Sequence, residues 1–184
     1  MDKVLNLGAG SYLIKGAISI DVMPFEGIDE VCDLSRLPWK WTDNSIDKIY
    51  MIHFLEHFPD VAAILNECHR ILKSGGILEI IVPHSSSPVA IGCLGHYHTF
   101  SYDTLNYFLS QPNYLFKKKM FETLHQELRW WSARLDTLGA VRFILHPLNY
   151  IINRLIKLST KAFENIWWGW VGGAREVVWI GRKV

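Results

Sequence analysis

The stretch Val4-Leu5-Asn6-Leu7-Gly8-Ala9-Gly10 decides the fold. Four residues, apolar except for Asn6, run into two glycines separated by one residue. This is the pattern of a first buried strand opening into a tight turn. Glycine at such a turn lets backbone N–H groups approach a ligand closely, because no Cβ stands in the way. Two glycines at this spacing also occur in ordinary turns, so the residues that follow carry the reading. A second strand is expected over 17–22, delivering Asp21 near its carboxyl end. A brief third strand is expected over 31–34, ending in a second acid, Asp33. An acid that closes the second strand is placed to accept hydrogen bonds from the two hydroxyls of a ribose, in the crevice of an open parallel sheet.

Outward from this start, Asp43-Asn44-Ser45 reads as a turn and 46–52 as a fourth strand. The period then changes. Val61, Ile64, Leu65, Cys68, Ile71 and Leu72 recur at spacings of three and four, which predicts a helix with one buried stripe. Asp60 suits its cap, and Lys73 with Gly75-Gly76 its stop. Residues 77–82 return to a β-branched run before Pro83, a buried parallel strand. Strand, helix, strand is the crossover unit of a parallel sheet. Residues 85–95 read as a loop, and a helix follows Ser101 through Phe108. Further strands are expected over 121–131 and 176–182. Only about ten residues separate Gly10 from Asp21, so the first helix must be vestigial or missing. The expected architecture is α/β and Rossmann-like. It has a mostly parallel sheet, helices on both faces and a shortened first helix.

The length of 184 residues supports one core and falls short of two full domains, so 1–184 is read as a single domain. A 49% hydrophobic, 20% charged composition excludes a disordered chain. The net charge of +1, with Lys117 to Lys119 as the one basic run, gives no reason to expect nucleic acid. Cys32, Cys68 and Cys93 lie far apart and form no CxxC pair, so they read as reduced interior residues. With no secretory signal at the start and no uninterrupted spanning stretch, a cytoplasmic location is expected, peripheral to the membrane if residues 141–171 contact one. That segment is an insertion unlike the rest. Ile151, Ile152, Leu155, Ile156, Leu158, Phe163, Ile166, Trp167, Trp168 and Trp170 are interspersed with Arg154, Lys157 and Lys161. Helices packed on the sheet or on a second subunit, as in a homo-oligomer, are one reading, and a basic amphipathic helix on a membrane or lipid-like acceptor is the other.

A nicotinamide fingerprint requires a third glycine to pack a helix beneath a pyrophosphate, but Leu13 occupies that position and Gly16 comes too late. S-adenosylmethionine has no pyrophosphate, so it needs the turn more than the anion nest. The residues 5–10, Ile20-Asp21-Val22, Asp33-Leu34, Leu37-Pro38, 44–49, Leu55-Glu56-His57-Phe58 and 67–76 together resemble the class I S-adenosylmethionine-dependent methyltransferases. They are most similar to a short-start branch found among predicted methyltransferases of glycan gene clusters. The resemblance covers about residues 3–110. It implies S-adenosylmethionine as cofactor, with Gly8 and Gly10 flanking its methionine end and Asp21 holding the ribose. It further implies Asp33 at the adenine amino group, the Leu34 N–H at the ring, and His53, within Ile52-His53-Phe54, beside the sulfonium. His57 is expected to turn inward as a structural residue. Ala9 stands where the family usually has Cys, a harmless change sterically.

On the acceptor side lie His84, His96, Tyr97, His98 and Phe100. The resembled branch commonly has a histidine four residues before such a Phe, which fits His96. A histidine near neutrality can remove a proton from a hydroxyl acceptor, so His96 is the candidate catalytic residue. No carboxylate or cysteine lies at tight spacing to these histidines, so no metal is expected. The expected reaction is methyl transfer to a small-molecule or glycan-linked acceptor at oxygen, in a pocket roofed by residues 85–107 and the aromatic C-terminal segment. A silent donor-binding subunit and a lipid-acceptor enzyme at the membrane surface are the alternatives.

Overall fold

The computed structural model describes residues 2–130, 142–164 and 173–184, with only the backbone of 142–145. Seven strands form one sheet: β1 (Val4–Leu7), β2 (Ile18–Asp21), β3 (Glu30–Val31), β4 (Ile46–Ile52), β5 (Leu72–Pro83), β6 (Phe121–Arg129) and β7 (Glu176–Lys183). Their spatial order is β3-β2-β1-β4-β5-β7-β6. β1 to β5 pair in parallel, and β7 runs antiparallel to both of its neighbours. The chain leaves β1 toward β2 and β3, then restarts on the other side of β1 with β4. That reversal opens the crevice in which ligands of open α/β sheets bind.

Among the described residues, five α-helices accompany these strands: α1 (Val61–Ile71), α2 (Pro88–Gly92), α3 (Thr104–Ser110), α4 (Arg142–Leu158) and α5 (Thr160–Ala162). None lies between β1 and β2, as the ten-residue gap requires. Leu5, Leu7, Ile20, Ile49, Met51, Ile80, Val82 and Trp179 are fully buried, because each strand is covered on the face to which its apolar residues alternate.

Four expectations about local structure are corrected. Helix α1 is capped by the Asp60 carboxylate on the Ala63 N–H (2.9 Å) but does not run to the glycines. Leu72 is already extended and pairs with Ile46, whereas Ile77 pairs with Lys48. Residues 73–76 are therefore extra length bulged out of β5, with Gly75 at φ +76°. The third strand stops at Val31, because Asp33 is drawn into a turn by Ser35. Ser101 does not cap α3. Its N–H and hydroxyl both meet the Thr104 hydroxyl at 3.0 Å, and Asp103 takes the cap position. Within the expected 85–95 loop, the Ser87 hydroxyl caps the short helix α2.

The connection from β3 to β4 has no helix, and a side-chain clamp holds it. Arg70 of α1 donates to Glu67, to Asp43 and to the carbonyls of Trp39 and Trp41, while Glu67 accepts the Trp39 N–H at 2.6 Å. The Arg70 guanidinium and the Trp39 N–H hold the Glu67 carboxyl below its usual range. Trp39 and Trp41, packed edge to face, thereby seal that end of the core.

Candidate functional site

Gly8, Gly10, Asp21, Asp33, Leu34 and His53 all line one cleft of about 800 Å³ at the carboxyl ends of the strands. The two glycines are required for different reasons. At Gly8 (φ +64°) an added Cβ would lie 2.1 Å from Phe54 Cδ2, so the position must be bare for Phe54 to pack beneath the turn. At Gly10 (φ +48°) a Cβ would meet nothing within 4 Å, so this residue borders open space. The Ala9 N–H donates to the Ile20 carbonyl (3.0 Å), which locks the turn onto β2. The buried Asn6 amide donates to the Tyr12 carbonyl (2.7 Å), closing the far end without a helix.

Asp21 ends β2 with its carboxylate between the Gly10 N–H (2.8 Å) and the Met23 N–H (2.9 Å). Each oxygen accepts one backbone donor and retains capacity for another. Asp33 takes the Ser35 hydroxyl at 2.6 Å, the Ser35 N–H at 3.1 Å and Arg36 Nε at 3.0 Å. The Ser35 hydroxyl, then its N–H, hold this carboxyl below its ordinary value, which keeps it ionised at the cleft wall.

His53 terminates β4 in the left-handed region (φ +52°), an uncommon conformation for a residue with a Cβ. Its N–H donates to the Ile81 carbonyl, and its ring lies tilted against Tyr12. Nε2 is 3.1 Å from Glu176 Oε1, and Nδ1 is 3.5 Å from Glu56 Oε1. Burial disfavours the imidazolium, but the Glu176 and Glu56 carboxylates outweigh it and raise the His53 pKa to about 9. His53 thus sits between two carboxylates, with Arg175 lining the adjoining cavity.

His53 and Tyr12 also wall a second cavity of about 150 Å³, together with Glu56, Ser87, His96 and Arg175. The His96 side chain is largely buried, and its ring packs edge to face on His57 at 4.8 Å. His96 and the cleft at the strand ends are therefore neighbours. The expectation for His57 is corrected: it is exposed, lines the donor cleft and pairs through Nδ1 with the Gly95 carbonyl at 3.0 Å. Its neighbour Glu56 is the fully buried one. His84 lies outside both cavities, holding Ser86 Oγ at 2.6 Å and Glu164 at 2.8 Å. That contact ties the segment after α5 to the end of β5. His98 reaches the Pro59 carbonyl. Spacing gives no access to Glu176, which β7 brings to His53 from 123 positions across the chain, whereas Glu56 lies only three residues on.

Of the insertion, α4 packs on β6 through Ile152 and Ile156, while Ile166, Trp167, Trp168 and Trp170 lie outside the described residues. No helix among the described residues is long and apolar enough to cross a membrane.

A methyltransferase-domain family model matches residues 24–80. That span takes in Asp33, the Leu-Glu-His turn and α1 but begins after Asp21. No curated protein sequence matches the chain. Among solved structures, the chain is similar to an S-adenosylmethionine-dependent methyltransferase from Archaeoglobus fulgidus: 19% identity, 99% of this chain and 86% of that one, TM-score 0.64. It is also similar to an S-adenosylmethionine-dependent methyltransferase from Mesorhizobium loti, at 16% identity, 98% and 90% coverage and TM-score 0.56. A third similar structure is the [4+2]-cyclase SpnF, at 17% identity, 100% and 76% coverage and TM-score 0.55. The chain has the α/β fold of the class I S-adenosylmethionine-dependent methyltransferases. The cyclase shows that this fold also carries other chemistry.

Proposed function

We propose that this chain is an S-adenosylmethionine-dependent methyltransferase that methylates a hydroxyl of a small-molecule or glycan-linked acceptor. The observation that carries the reading is the Asp21 carboxylate, fixed by two backbone N–H groups on the wall of a cleft that Gly10 leaves open. About 800 Å³ falls in the range of small-molecule and cofactor sites. Asp21 holds the ribose hydroxyls with the acceptor capacity its backbone partners leave. Asp33 takes the adenine amino group, the Leu34 N–H faces the ring, and Gly8 and Gly10 admit the methionine end. His53 borders the sulfonium.

The donor supplies a methyl group already activated on a cationic sulfur. The protein's task is to align acceptor and donor and to exclude water. His96, in the adjoining cavity, is positioned to take a proton from an acceptor hydroxyl.

Calorimetric titration with S-adenosylmethionine tests the reading. Asp21→Ala should weaken binding by about 1.5–3 kcal/mol, through lost charged hydrogen bonds, while the protein stays folded. Equal affinity in both proteins would remove Asp21 from the role.

A second reading concerns location. Leu148, Ile151, Leu155 and Leu158 recur at spacings of three and four on α4 and are exposed, with Arg154 and Lys157 beside them. An apolar stripe with flanking cations suits an anionic membrane surface and a lipid-linked acceptor. Co-sedimentation with vesicles containing phosphatidylserine should fall in the double variant Ile151→Ser with Leu155→Ser. Sedimentation that is absent in the parent chain, or unchanged in the variant, would contradict it.

A further inference from the structure

We propose that Glu56, His57 and His96 form a binding site for one divalent transition-metal ion, of which zinc is the representative. One ligand atom from each residue lies within 4.8 Å of the others. The Glu56 side chain is fully buried, yet neither of its oxygens accepts a hydrogen bond, and His96 Nδ1 is likewise buried without a partner. A buried carboxylate with no donor is costly, and the nearest nitrogens, His53 Nδ1 at 3.5 Å and His96 Nε2 at 4.0 Å, are too distant to compensate fully. A cation among these atoms would supply the missing partner for the carboxylate, with His57 and His96 completing its ligand set.

The site is held by two segments that are far apart in sequence and laced together. The Tyr97 N–H donates to the Glu56 carbonyl at 2.8 Å, His57 Nδ1 pairs with the Gly95 carbonyl, and His98 Nε2 reaches the Pro59 carbonyl at 3.0 Å. With Nδ1 donating to Gly95, the lone pair of His57 lies on Nε2. A backbone carbonyl commonly orients a metal-binding imidazole in this way. Two imidazoles and one carboxylate are a nitrogen and oxygen set suited to zinc, manganese or ferrous iron rather than to calcium or magnesium, which prefer oxygen. Three protein ligands also leave a coordination position open. Glu56 and His96 line the small cavity and His57 lines the donor cleft, so the site stands where the two meet. In terms of the methyl transfer proposed above, on which this consequence alone rests, an acceptor hydroxyl bound to the ion would lose its proton to solvent more readily, which takes the place of the base role of His96 once the ion holds that imidazole.

The test uses the full chain, stripped with a chelator and titrated calorimetrically with zinc chloride in the absence of donor. The parent should bind one ion per chain. Glu56→Gln, His57→Gln and His96→Gln should each weaken that event at least tenfold, with far-ultraviolet circular dichroism showing each variant folded. His125→Gln, at an exposed histidine of β6 that lines neither cavity, should leave it unchanged. Cobalt(II) should give visible d–d bands in the parent that vanish in His57→Gln, an exposed position whose change spares the core. Absence of a one-to-one event, or equal affinity in the parent and in folded His57→Gln, would overturn the proposal. Donor affinity, measured separately on the metal-free chain, keeps that failure distinct from failure of the methyltransferase reading.

Discussion

The two halves of the sheet are built by different means. On one side, β1, β2 and β3 are four, four and two residues long and no helix connects them. On the other, β5, β6 and β7 run for twelve, nine and eight residues and, outside the 73–76 bulge, pair along nearly their whole length. The long ladders satisfy their backbone groups among themselves. The short half relies on carboxylates instead: Asp21 on Gly10 and Met23, Asp29 on the Ser19 N–H, Asp33 on Ser35, and Glu67 with Arg70 on the tryptophan loop. A half made of turns fixed by side chains leaves backbone and acids facing a cleft, which is what a donor site needs. A half made of ladders gives a firm wall for it. Charged side chains should therefore matter more to stability in the first half than in the second.

Arg70→Ala is the strongest challenge to that contrast. It removes the partner of the nearly buried Glu67 and the ties to two loop carbonyls, and should cost roughly 2–4 kcal/mol in chemical denaturation. Lys48→Ala breaks an ion pair with Glu79 between two paired strands and should cost about 1 kcal/mol or less. Equal losses would erase the distinction. Gly8→Ala forces a Cβ into Phe54 at positive φ and should cost about 1–3 kcal/mol. Gly10→Ala meets open space and should cost less, so a reversed order would contradict the assigned roles.

The ladder half has its own titration. Burial first, then Lys183 and Lys118, lower the pKa of His69 to about 4. Protonation is thus easier in the unfolded chain, where the pKa is near 6.5. The stability due to neutral His69 is complete above about pH 6.5 and is lost as pH falls toward 4. Melting temperatures of the parent and His69→Gln across that window should diverge above pH 6.5 and converge near pH 4. Parallel curves would show that His69 is not the group responsible.

Much of this was legible because the donor half announces itself locally. The apolar run into Gly8, the acid at position 21 and the ten residues between Gly10 and Asp21 are short-range signals, and the six residues proposed for the donor line one cleft. The stripe of α1 and the runs forming β4, β6 and β7 are equally local. Glu176 was not legible as a partner of His53, since tertiary pairing alone brings positions 53 and 176 together, whereas Glu56 lies three residues on and only the inward turn of its carboxylate was hidden. Gly75-Gly76 looked like a helix stop, because a bulge and a C-cap call for the same residue. Leu55-Glu56-His57 offered one acid and one imidazole, and only the burial of the short turn decides which faces inward.

The most direct measurement is a crystal structure with S-adenosylhomocysteine bound. The account predicts that the ligand lies across the carboxyl ends of β1, β2 and β4, with both ribose hydroxyls on the Asp21 carboxylate and the sulfur near His53. A ligand bound elsewhere, or a ribose that makes no contact with Asp21, would contradict it.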